Sequence, residues 1–259
     1  MCRMAAYLGP EITLEDFLLS PPHSLRAQAR APRELRYAQL NADGFGFGWF
    51  NTEGQPGAYV NPAPIWSDPN LPSLAHSLYG DLWLGFVRSA NNGSHISHAN
   101  TQPFSDTEIL FVHNGFLQDF DTRCRPAISA ELAPEIAAAI QGNTDSEYLF
   151  ALLRHVLSDD PDMALETALA EICARVDDWS EDTTALLNFL VSEGTRLYAV
   201  RHAINDPCPS LYYCTDNERF PGAQLIASEP LDSNGIWQPV PEHHILILDP
   251  EEPPELIEL

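Results

Sequence analysis

The sequence predicts an α+β fold with packed sheets. The chain has 259 residues, 44% of them hydrophobic, which is enough for one large core. Its apolar patterning predicts roughly ten strands and about five helices. No repeat or low-complexity linker divides the chain, so we expect a single domain over residues 1–259.

The first third of the chain is predicted to hold two strands and two helices. Residues 2–8 form a short apolar stretch that we expect to be a buried strand. Thr13 precedes Glu15 and Asp16, a pattern typical of a helix N-terminus, so a helix is predicted through Leu19. A glycine-punctuated strand is predicted at 41–50 and a helix at 68–79. The glycines of that strand are not a nucleotide-binding motif, because no helix opens behind them.

Two apolar runs in the middle of the chain end in polar groups. Residues 82–87 predict a core strand that ends at Arg88, and residues 108–112 predict another that ends at Asn114-Gly115. Asp145 stands directly before a predicted helix. The other predicted elements are helices at 130–140, 146–157 and 163–176, and strands at 186–192, 195–201, 210–215, 224–228 and 244–248.

The charge balance of the chain limits its partners. Thirteen Lys and Arg residues stand against 37 Asp and Glu residues, giving a formal net charge of −24. This acidity disfavours binding to nucleic acid and to anionic membrane surfaces. No apolar run approaches the ~20 residues of a membrane span, and the N-terminal apolar stretch stops at Pro10. We expect a cytoplasmic protein without a nucleic-acid or membrane partner.

The five cysteines and nine histidines follow no familiar disulfide or metal pattern. The cysteine count is odd, and no Cys-x-x-Cys pair occurs. A disulfide framework and a zinc site are therefore both unexpected. The histidine spacing matches no zinc motif either. We expect free thiols and no metal.

Cys2 is the most informative single residue. Met1 is readily removed before a small residue, and its removal would leave a chain that begins with cysteine. An N-terminal cysteine carries a thiol and an α-amine whose unperturbed pKa is about 8, so nucleophile and base would belong to one residue.

Three other positions would complete a site for a γ-glutamyl amide. The planar fork of Arg88 would bind the α-carboxylate of the glutamyl group, and Asp145 would bind its α-ammonium. The side-chain amide of Asn114 and the backbone N–H of Gly115 would stabilise the oxyanion formed when the thiolate attacks. Each residue also has a plainer interpretation. Arg88 fits a surface cation or structural ion pair, Asn114-Gly115 a type I′ hairpin turn, and Asp145 a helix N-cap.

A set of motifs in a fixed order resembles the class II glutamine amidotransferases. The motifs are Met1-Cys2-Arg3, Tyr7-Leu8-Gly9-Pro10, Val87-Arg88-Ser89-Ala90, Asn100-Thr101-Gln102-Pro103-Phe104, Phe111-Val112-His113-Asn114-Gly115 and Gly142-Asn143-Thr144-Asp145-Ser146-Glu147. Further stretches resemble the ergothioneine-biosynthesis amidohydrolase branch of that family: residues 21–25, 41–46, 64–72 and Ala227-Ser228-Glu229-Pro230-Leu231. Together they span nearly the whole chain.

The resemblance implies a fold, a reaction and site roles. The fold would be a four-layer αββα sandwich of two antiparallel sheets flanked by helices, that of the N-terminal-nucleophile hydrolases. Cys2 would be the nucleophile, Asn114 and Gly115 the oxyanion hole, and Arg88 and Asp145 the glutamyl-binding residues. The reaction would be hydrolysis of a small molecule, γ-glutamyl-hercynylcysteine sulfoxide, to glutamate and hercynylcysteine sulfoxide. The resemblance implies no cofactor.

Two positions depart from the family pattern. Asn91 stands where many members have threonine, three residues after the arginine, and we expect it to bind substrate because Asn also donates and accepts hydrogen bonds. Gln102 replaces a histidine before Pro103, and we expect it to give polar support outside the mechanism.

Two alternative functions remain open from the sequence. The chain could be a glutaminase subunit that supplies ammonia to a separate synthase, although no synthase domain is visible. It could also be a non-catalytic binding module on the same scaffold. A homo-oligomer is reasonable for such a protein.

Overall fold

The computed structural model describes residues 2–36, 39–90 and 95–259. Within them the strands are β1 Arg3–Thr13, β2 Phe45–Phe50, β3 Pro56–Asn61, β4 Tyr79–Val87, β5 Phe104–Ser105, β6 Leu110–Leu117, β7 Ala185–Ser192, β8 Leu197–Ile204, β9 Tyr212–Cys214, β10 Gln224–Ala227, β11 Gln238–Pro239, β12 His244–Asp249 and β13 Glu252–Glu258. The α-helices are α1 Leu14–Leu18, α2 Leu25–Arg30, α3 Leu71–Ser77, α4 Cys124–Glu131, α5 Pro134–Ala139, α6 Asp145–Asp159 and α7 Leu165–Trp179, with a 3₁₀ turn at Ile65–Ser67.

The strands form two antiparallel sheets. The first has seven strands in the order β11-β9-β10-β1-β4-β2-β3, and the second has six in the order β13-β12-β8-β7-β6-β5. Every strand pair recorded in either sheet is antiparallel.

Side-chain alternation along the strands creates a core between the sheets. On β1, Met4 and Ala6 face the second sheet and join one apolar cluster with Leu110, Val112 and other residues of that sheet. Ala5 and Tyr7 face the opposite way, because successive side chains of a strand point to opposite faces. Each fully buried apolar side chain in this layer contributes roughly 1.5–3 kcal/mol.

Helices cover the outer face of each sheet. Phe17 of α1 and Leu25 of α2 pack on the first sheet, with Tyr7. Leu149 and Leu152 of α6 pack on the second sheet in a separate apolar cluster that also includes residues of α4 and α7. The layers are helix, sheet, sheet, helix, which confirms the predicted αββα sandwich.

Several elements differ from the predicted ones. Asn114 and Gly115 lie inside β6, opposite Asn188 and Leu187 of β7, so the hairpin-turn interpretation is wrong. The single helix predicted at 130–140 is two helices, α4 and α5, because Pro134 starts a new helix at its N1 position. The acidic C-terminal end forms β13, an edge strand.

The fold brings the predicted site together at one end of the sandwich. In the β1–β4 pair Arg3 lies opposite Val87, so Cys2, directly before β1, neighbours Arg88, directly after β4. The second sheet supplies Asn114 from β6. Among the described residues, no helix is both long and apolar enough to cross a membrane.

Candidate active site

A small cavity collects most of the predicted site residues. It is lined by Cys2, Arg88, Ser89, Ala90, Asn100, Gln102, His113, Gly115, Thr144, Asp145 and Ser146. Its volume is about 30 Å³, whereas more open depressions of about 410 to 650 Å³ lie elsewhere on the described surface and do not include Cys2. We identify the site by its chemistry and not by its size, because this cavity combines a thiol, a cation and a carboxylate.

The thiol of Cys2 is held by the backbone of Ser89. The N–H of Ser89 lies 3.4 Å from Cys2 Sγ, and Sγ lies 3.6 Å from the carbonyl oxygen of Ser89. Burial raises the pKa of the Cys2 thiol, and this outweighs the Ser89 hydrogen bond and the positive charges of Arg88 and Arg3, which lower it. The resting thiol is therefore neutral and needs a base to become a nucleophile.

Asn114 joins the main chain of Cys2 to the second sheet. The backbone nitrogen of Cys2 donates to Asn114 Oδ1 at 2.9 Å. The Nδ2 group of Asn114 lies 3.4 Å from Ser228 Oγ, which also accepts the N–H of Met4 at 3.0 Å. These contacts set which way the fully buried amide faces, and one Nδ2 hydrogen remains for another acceptor.

Gly115 occupies a position where no side chain fits. A Cβ atom there would lie 1.7 Å from the carbonyl oxygen of Leu186 and 2.4 Å from His113 Nε2. The imidazole of His113 bridges the same region, because Nε2 donates to Leu186 O at 2.9 Å and Nδ1 lies 2.9 Å from Ser146 Oγ. Burial lowers the pKa of His113, so this bridging imidazole is neutral. Glycine is thus required by close approach of the chain and not by a turn.

Gln102 supports β6 as expected. Its Nε2 donates to the carbonyl oxygen of His113 at 3.0 Å, and its Oε1 accepts the N–H of His113 at 2.6 Å. This double contact fixes the backbone directly before Asn114, so Gln102 has a supporting place beside the cavity.

Arg88 is buried, with only 4% of its surface exposed. Its Nη1 donates to the carbonyl oxygen of His95 at 3.2 Å, and within the described part of the chain it forms no ion pair. Burial lowers the pKa of Arg88, while the charges of Asp43 and Asp145 partly oppose this. A buried guanidinium that no carboxylate of the described residues pairs with is suited to bind a carboxylate from a ligand.

Asp145 is the first residue of α6 and not its N-cap. Thr144 is the N-cap, and its hydroxyl accepts the N–H of Glu147 at 3.3 Å. The carboxylate of Asp145 accepts the N–H of Leu117 at 2.9 Å and that of Ser146 at 2.8 Å. The helix-cap interpretation of Asp145 is therefore wrong, and its carboxylate lines the cavity.

A buried ionic network, unrecognised from the sequence, lies behind Cys2. Arg3 Nε donates to the carbonyl oxygen of Cys2 at 2.6 Å, and Arg3 Nη1 pairs with Glu229 at 3.1 Å. Glu229 also accepts His23 Nε2 at 2.6 Å and the backbone N–H groups of Arg33 and Glu34. Burial by itself raises the pKa of Glu229. These hydrogen bonds and the charge of Arg3 together outweigh burial and lower the pKa to about 2.

Ser228 and Glu229 belong to a motif that the resemblance contained, yet it gave them no role. A buried glutamate in an apolar stretch was the available signal, since a carboxylate is rarely buried without a cation. Asn91, the predicted substrate-binding residue after Arg88, lies outside the described residues. In the described residues, the one group of three clustered metal-ligand side chains lies apart from this cavity.

Comparison with protein families gives a match over most of the chain. Residues 23–220 match the model of the class-II glutamine amidotransferases. The matched segment includes Arg88, Asn114, Gly115 and Asp145, although it begins after Cys2. It agrees with the family that the sequence motifs resemble.

Curated relatives cover almost all of the chain. A γ-glutamyl-hercynylcysteine sulfoxide hydrolase of Mycolicibacterium smegmatis is 32% identical over 246 residues, or 95% of each chain. One of Mycobacterium tuberculosis is 31% identical over 95% of this chain and 92% of its own. The probable glutamine amidotransferase DUG3 of Saccharomyces cerevisiae is 29% identical over 96% of this chain and 82% of its own.

Solved structures share the fold. A glutamine aminotransferase class-II domain protein from Silicibacter pomeroyi superimposes with a TM-score of 0.73, at 28% identity and 99% coverage of both chains. The glutamine phosphoribosylpyrophosphate amidotransferase of Bacillus subtilis gives a TM-score of 0.71 at 15% identity. It covers 99% of this chain and 49% of that larger protein, so it supports the fold alone.

Proposed function

This chain belongs to the class-II glutamine amidotransferase family, and we propose that it hydrolyses the γ-glutamyl amide of γ-glutamyl-hercynylcysteine sulfoxide. The products are glutamate and hercynylcysteine sulfoxide. The names of the mycobacterial relatives support this substrate, since they match along 95% of the chain. They favour a hydrolase over a glutaminase subunit that supplies ammonia to a synthase.

One observation carries the assignment of the site. Cys2 contacts Asn114 through its backbone nitrogen, and its thiol lies in one cavity with Arg88, Gly115 and Asp145. A thiol, an amide donor, a cation and a carboxylate in one place are the groups that cleavage of a γ-glutamyl amide requires.

Removal of Met1 turns the backbone nitrogen of Cys2 into the base. The α-amine then takes the thiol proton, which the buried thiol does not lose unaided because burial raises its pKa. Asn114 Oδ1, 2.9 Å from this nitrogen, accepts a hydrogen bond from the amine and orients it.

The thiolate adds to the γ-carbonyl carbon, and the carbonyl oxygen becomes an oxyanion. The free Nδ2 hydrogen of Asn114 and the N–H of Gly115 stabilise it. The C–N bond breaks as the α-ammonium gives its proton to the leaving amine, which leaves a γ-glutamyl thioester on Cys2. Water, deprotonated by the α-amine, attacks the thioester; glutamate leaves and the thiol is restored.

Arg88 and Asp145 select the glutamyl group. The guanidinium of Arg88 binds its α-carboxylate, and the carboxylate of Asp145 binds its α-ammonium. Both protein groups are on rigid elements, at the end of β4 and the start of α6. Asn91 is proposed to contact the same group of the substrate.

The remaining features of the proposal come from composition, from the family resemblance and from what is common among enzymes of this kind. We place the enzyme in the cytoplasm as a single domain that acts on a small molecule without a cofactor, and as a homo-oligomer. A reducing compartment keeps the Cys2 thiol free.

The test is glutamate release by the purified, tag-free chain and by its Cys2→Ala variant. Intact mass first establishes that Met1 is absent from the native chain. We expect the Cys2→Ala variant to lose at least ~10⁴-fold in kcat, because the nucleophile is gone. The matched control is Cys124→Ala, which removes a buried thiol of α4 outside the cavity and is expected to keep activity.

Two outcomes would contradict the proposal. Glutamate release by folded Cys2→Ala protein would exclude Cys2 as the nucleophile. Faster hydrolysis of free glutamine than of the sulfoxide conjugate, stimulated by a partner protein, would favour the glutaminase subunit instead.

A further inference from the structure

A second cluster of reactive side chains lies away from the proposed catalytic site. The Sγ atom of Cys208, a carboxylate oxygen of Glu242 and an imidazole nitrogen of His243 all lie within 4.8 Å of one another. Cys208 is buried, while Glu242 and His243 are exposed. Cys208 follows β8 and the other two precede β12, the strand that pairs with β8.

The imidazole of His243 is held in place by a relay. Its Nδ1 lies 3.0 Å from Nδ1 of His202, and Nε2 of His202 lies 2.8 Å from Asp177 of α7. Since a carboxylate only accepts, His202 Nε2–H donates to Asp177; in the neutral ring its Nδ1 then accepts from His243. Nε2 of His243 is the nitrogen left with a free lone pair.

Such relays are typical of metal-binding histidines. A ligating imidazole usually donates its other N–H to a fixed acceptor, which orients the ring and raises its basicity. The backbone of His243 is in the left-handed region, with φ of 59°, a conformation that is uncommon for a residue other than glycine. His243 directly follows Glu242, so this backbone conformation lies in the same turn that supplies the carboxylate.

We propose that Cys208, Glu242 and His243 bind one zinc ion, with water or a further ligand completing the tetrahedron. A thiolate, an imidazole and a carboxylate form a donor set that zinc accepts. The sulfur and nitrogen donors suit zinc better than Mg²⁺ or Ca²⁺, which prefer oxygen ligands. One thiolate and one carboxylate also balance the charge of a divalent ion. No part of this site depends on the function proposed for Cys2.

The surroundings fit a site that assembles without large movement. Cys208 packs against Leu186 and Ala203, which hold its side chain. Arg201 Nη2 lies 3.4 Å from Glu242 Oε1, and zinc would share or displace this exposed ion pair. The three ligand atoms lie within 4.8 Å of one another and would have to move closer together to reach the separations found in a tetrahedral site. This is a small adjustment for two exposed side chains.

Zinc would fasten the segment after β8 to the turn before β12. That segment includes Pro209 and Ser210, whose carbonyl oxygens accept Asn188 Nδ2. Ser210 Oγ also accepts Arg3 Nη1 at 3.3 Å. The expected consequence is a structural one: zinc raises the melting temperature of the protein by tying down a segment that contacts the network behind Cys2.

The test is zinc titration of tag-free, chelator-treated protein against a chromophoric zinc indicator. The Cys2→Ala background removes the thiol of the proposed catalytic cavity, so that zinc bound there is not counted. We expect one equivalent of zinc and a melting temperature raised by roughly 5 °C at a 100-fold excess over Kd. Cobalt substitution should give the near-ultraviolet charge-transfer band of a thiolate ligand.

Three variants in that background make the test specific. Cys208→Ala and His243→Ala should each weaken zinc binding by at least ~10-fold. The matched control is His244→Ala, which removes the adjacent histidine outside the cluster and should leave the affinity unchanged. The proposal is wrong if the background protein binds no stoichiometric zinc, if all three variants bind alike, or if cobalt shows no thiolate band.

Discussion

In the described part of the chain, the buried arginines on the two sides of Cys2 differ in whether they pair with a carboxylate. Behind it, Arg3 and Glu229 are at most 1% exposed and form an ion pair, and Glu229 accepts further hydrogen bonds from His23 and two backbone N–H groups. In front of it, Arg88 is nearly as buried, but within the described residues its side chain has one recorded hydrogen bond, to the carbonyl oxygen of His95.

The contrast separates positioning from binding. A buried network of charge-assisted hydrogen bonds is rigid, and this one holds the carbonyl oxygen of Cys2 through Arg3. A buried cation without a carboxylate partner costs desolvation energy and returns little stability, which is typical of a group kept for a charged ligand. Substitutions on the two sides should therefore affect different measurements.

The largest expected effect comes from breaking the network behind Cys2. Glu229→Ala leaves the guanidinium of Arg3 buried without its partner, which should lower the free energy of unfolding by about 3–5 kcal/mol. Urea unfolding at pH 7 measures this. A loss below about 1 kcal/mol would mean that the network contributes little to the stability of the fold.

The pH dependence of stability is the next effect. Glu229 has a pKa of about 2 in the folded protein against 4.5 for the unfolded group, a difference that corresponds to about 3 kcal/mol. Because the folded pKa is the lower one, this stability is present above about pH 4.5 and is lost as the pH falls towards 2.

The Glu229→Gln variant isolates this contribution, since the other carboxylates titrate alike in both proteins. The gap in unfolding free energy between the native chain and Glu229→Gln should be widest at pH 7 and narrower at pH 3. An equal gap at the two pH values would contradict the depressed pKa.

A smaller effect, and one on activity alone, is expected in front of Cys2. Arg88→Ala should raise KM for the γ-glutamyl substrate by roughly 30-fold, or about 2 kcal/mol, because the α-carboxylate loses its cation. The free energy of unfolding should change by less than about 1 kcal/mol, since Arg88 forms no ion pair in the described residues.

Arg88→Lys is the matched control for this prediction. It keeps the charge without the planar fork, so KM should fall between those of the native chain and Arg88→Ala. A stability loss as large as that of Glu229→Ala would show that Arg88 serves the fold and not the substrate.

The sequence predicted the sheets better than the boundaries of the helices. Strands such as β4 and β7 follow continuous apolar runs, which burial on both faces of a strand produces, and both were expected within a few residues. The prediction of one helix at 130–140 failed because the apolar spacing continued across Pro134, where a new helix begins after the previous one has ended. Asn114-Gly115 resembles a turn locally, and only pairing with β7 makes it part of a strand.

The sequence by itself determined the family and the αββα fold, because ordered motifs carry that information along the whole chain. It also named Cys2, Arg88, Gly115 and Asp145, which line the cavity. The tertiary structure decided what no spacing contains. Glu229 lies 226 positions after Arg3 and still holds it, and Cys208 meets His243 only because β8 pairs with β12. Such contacts depend on strand register and layer packing, which set distances between residues that are remote in sequence.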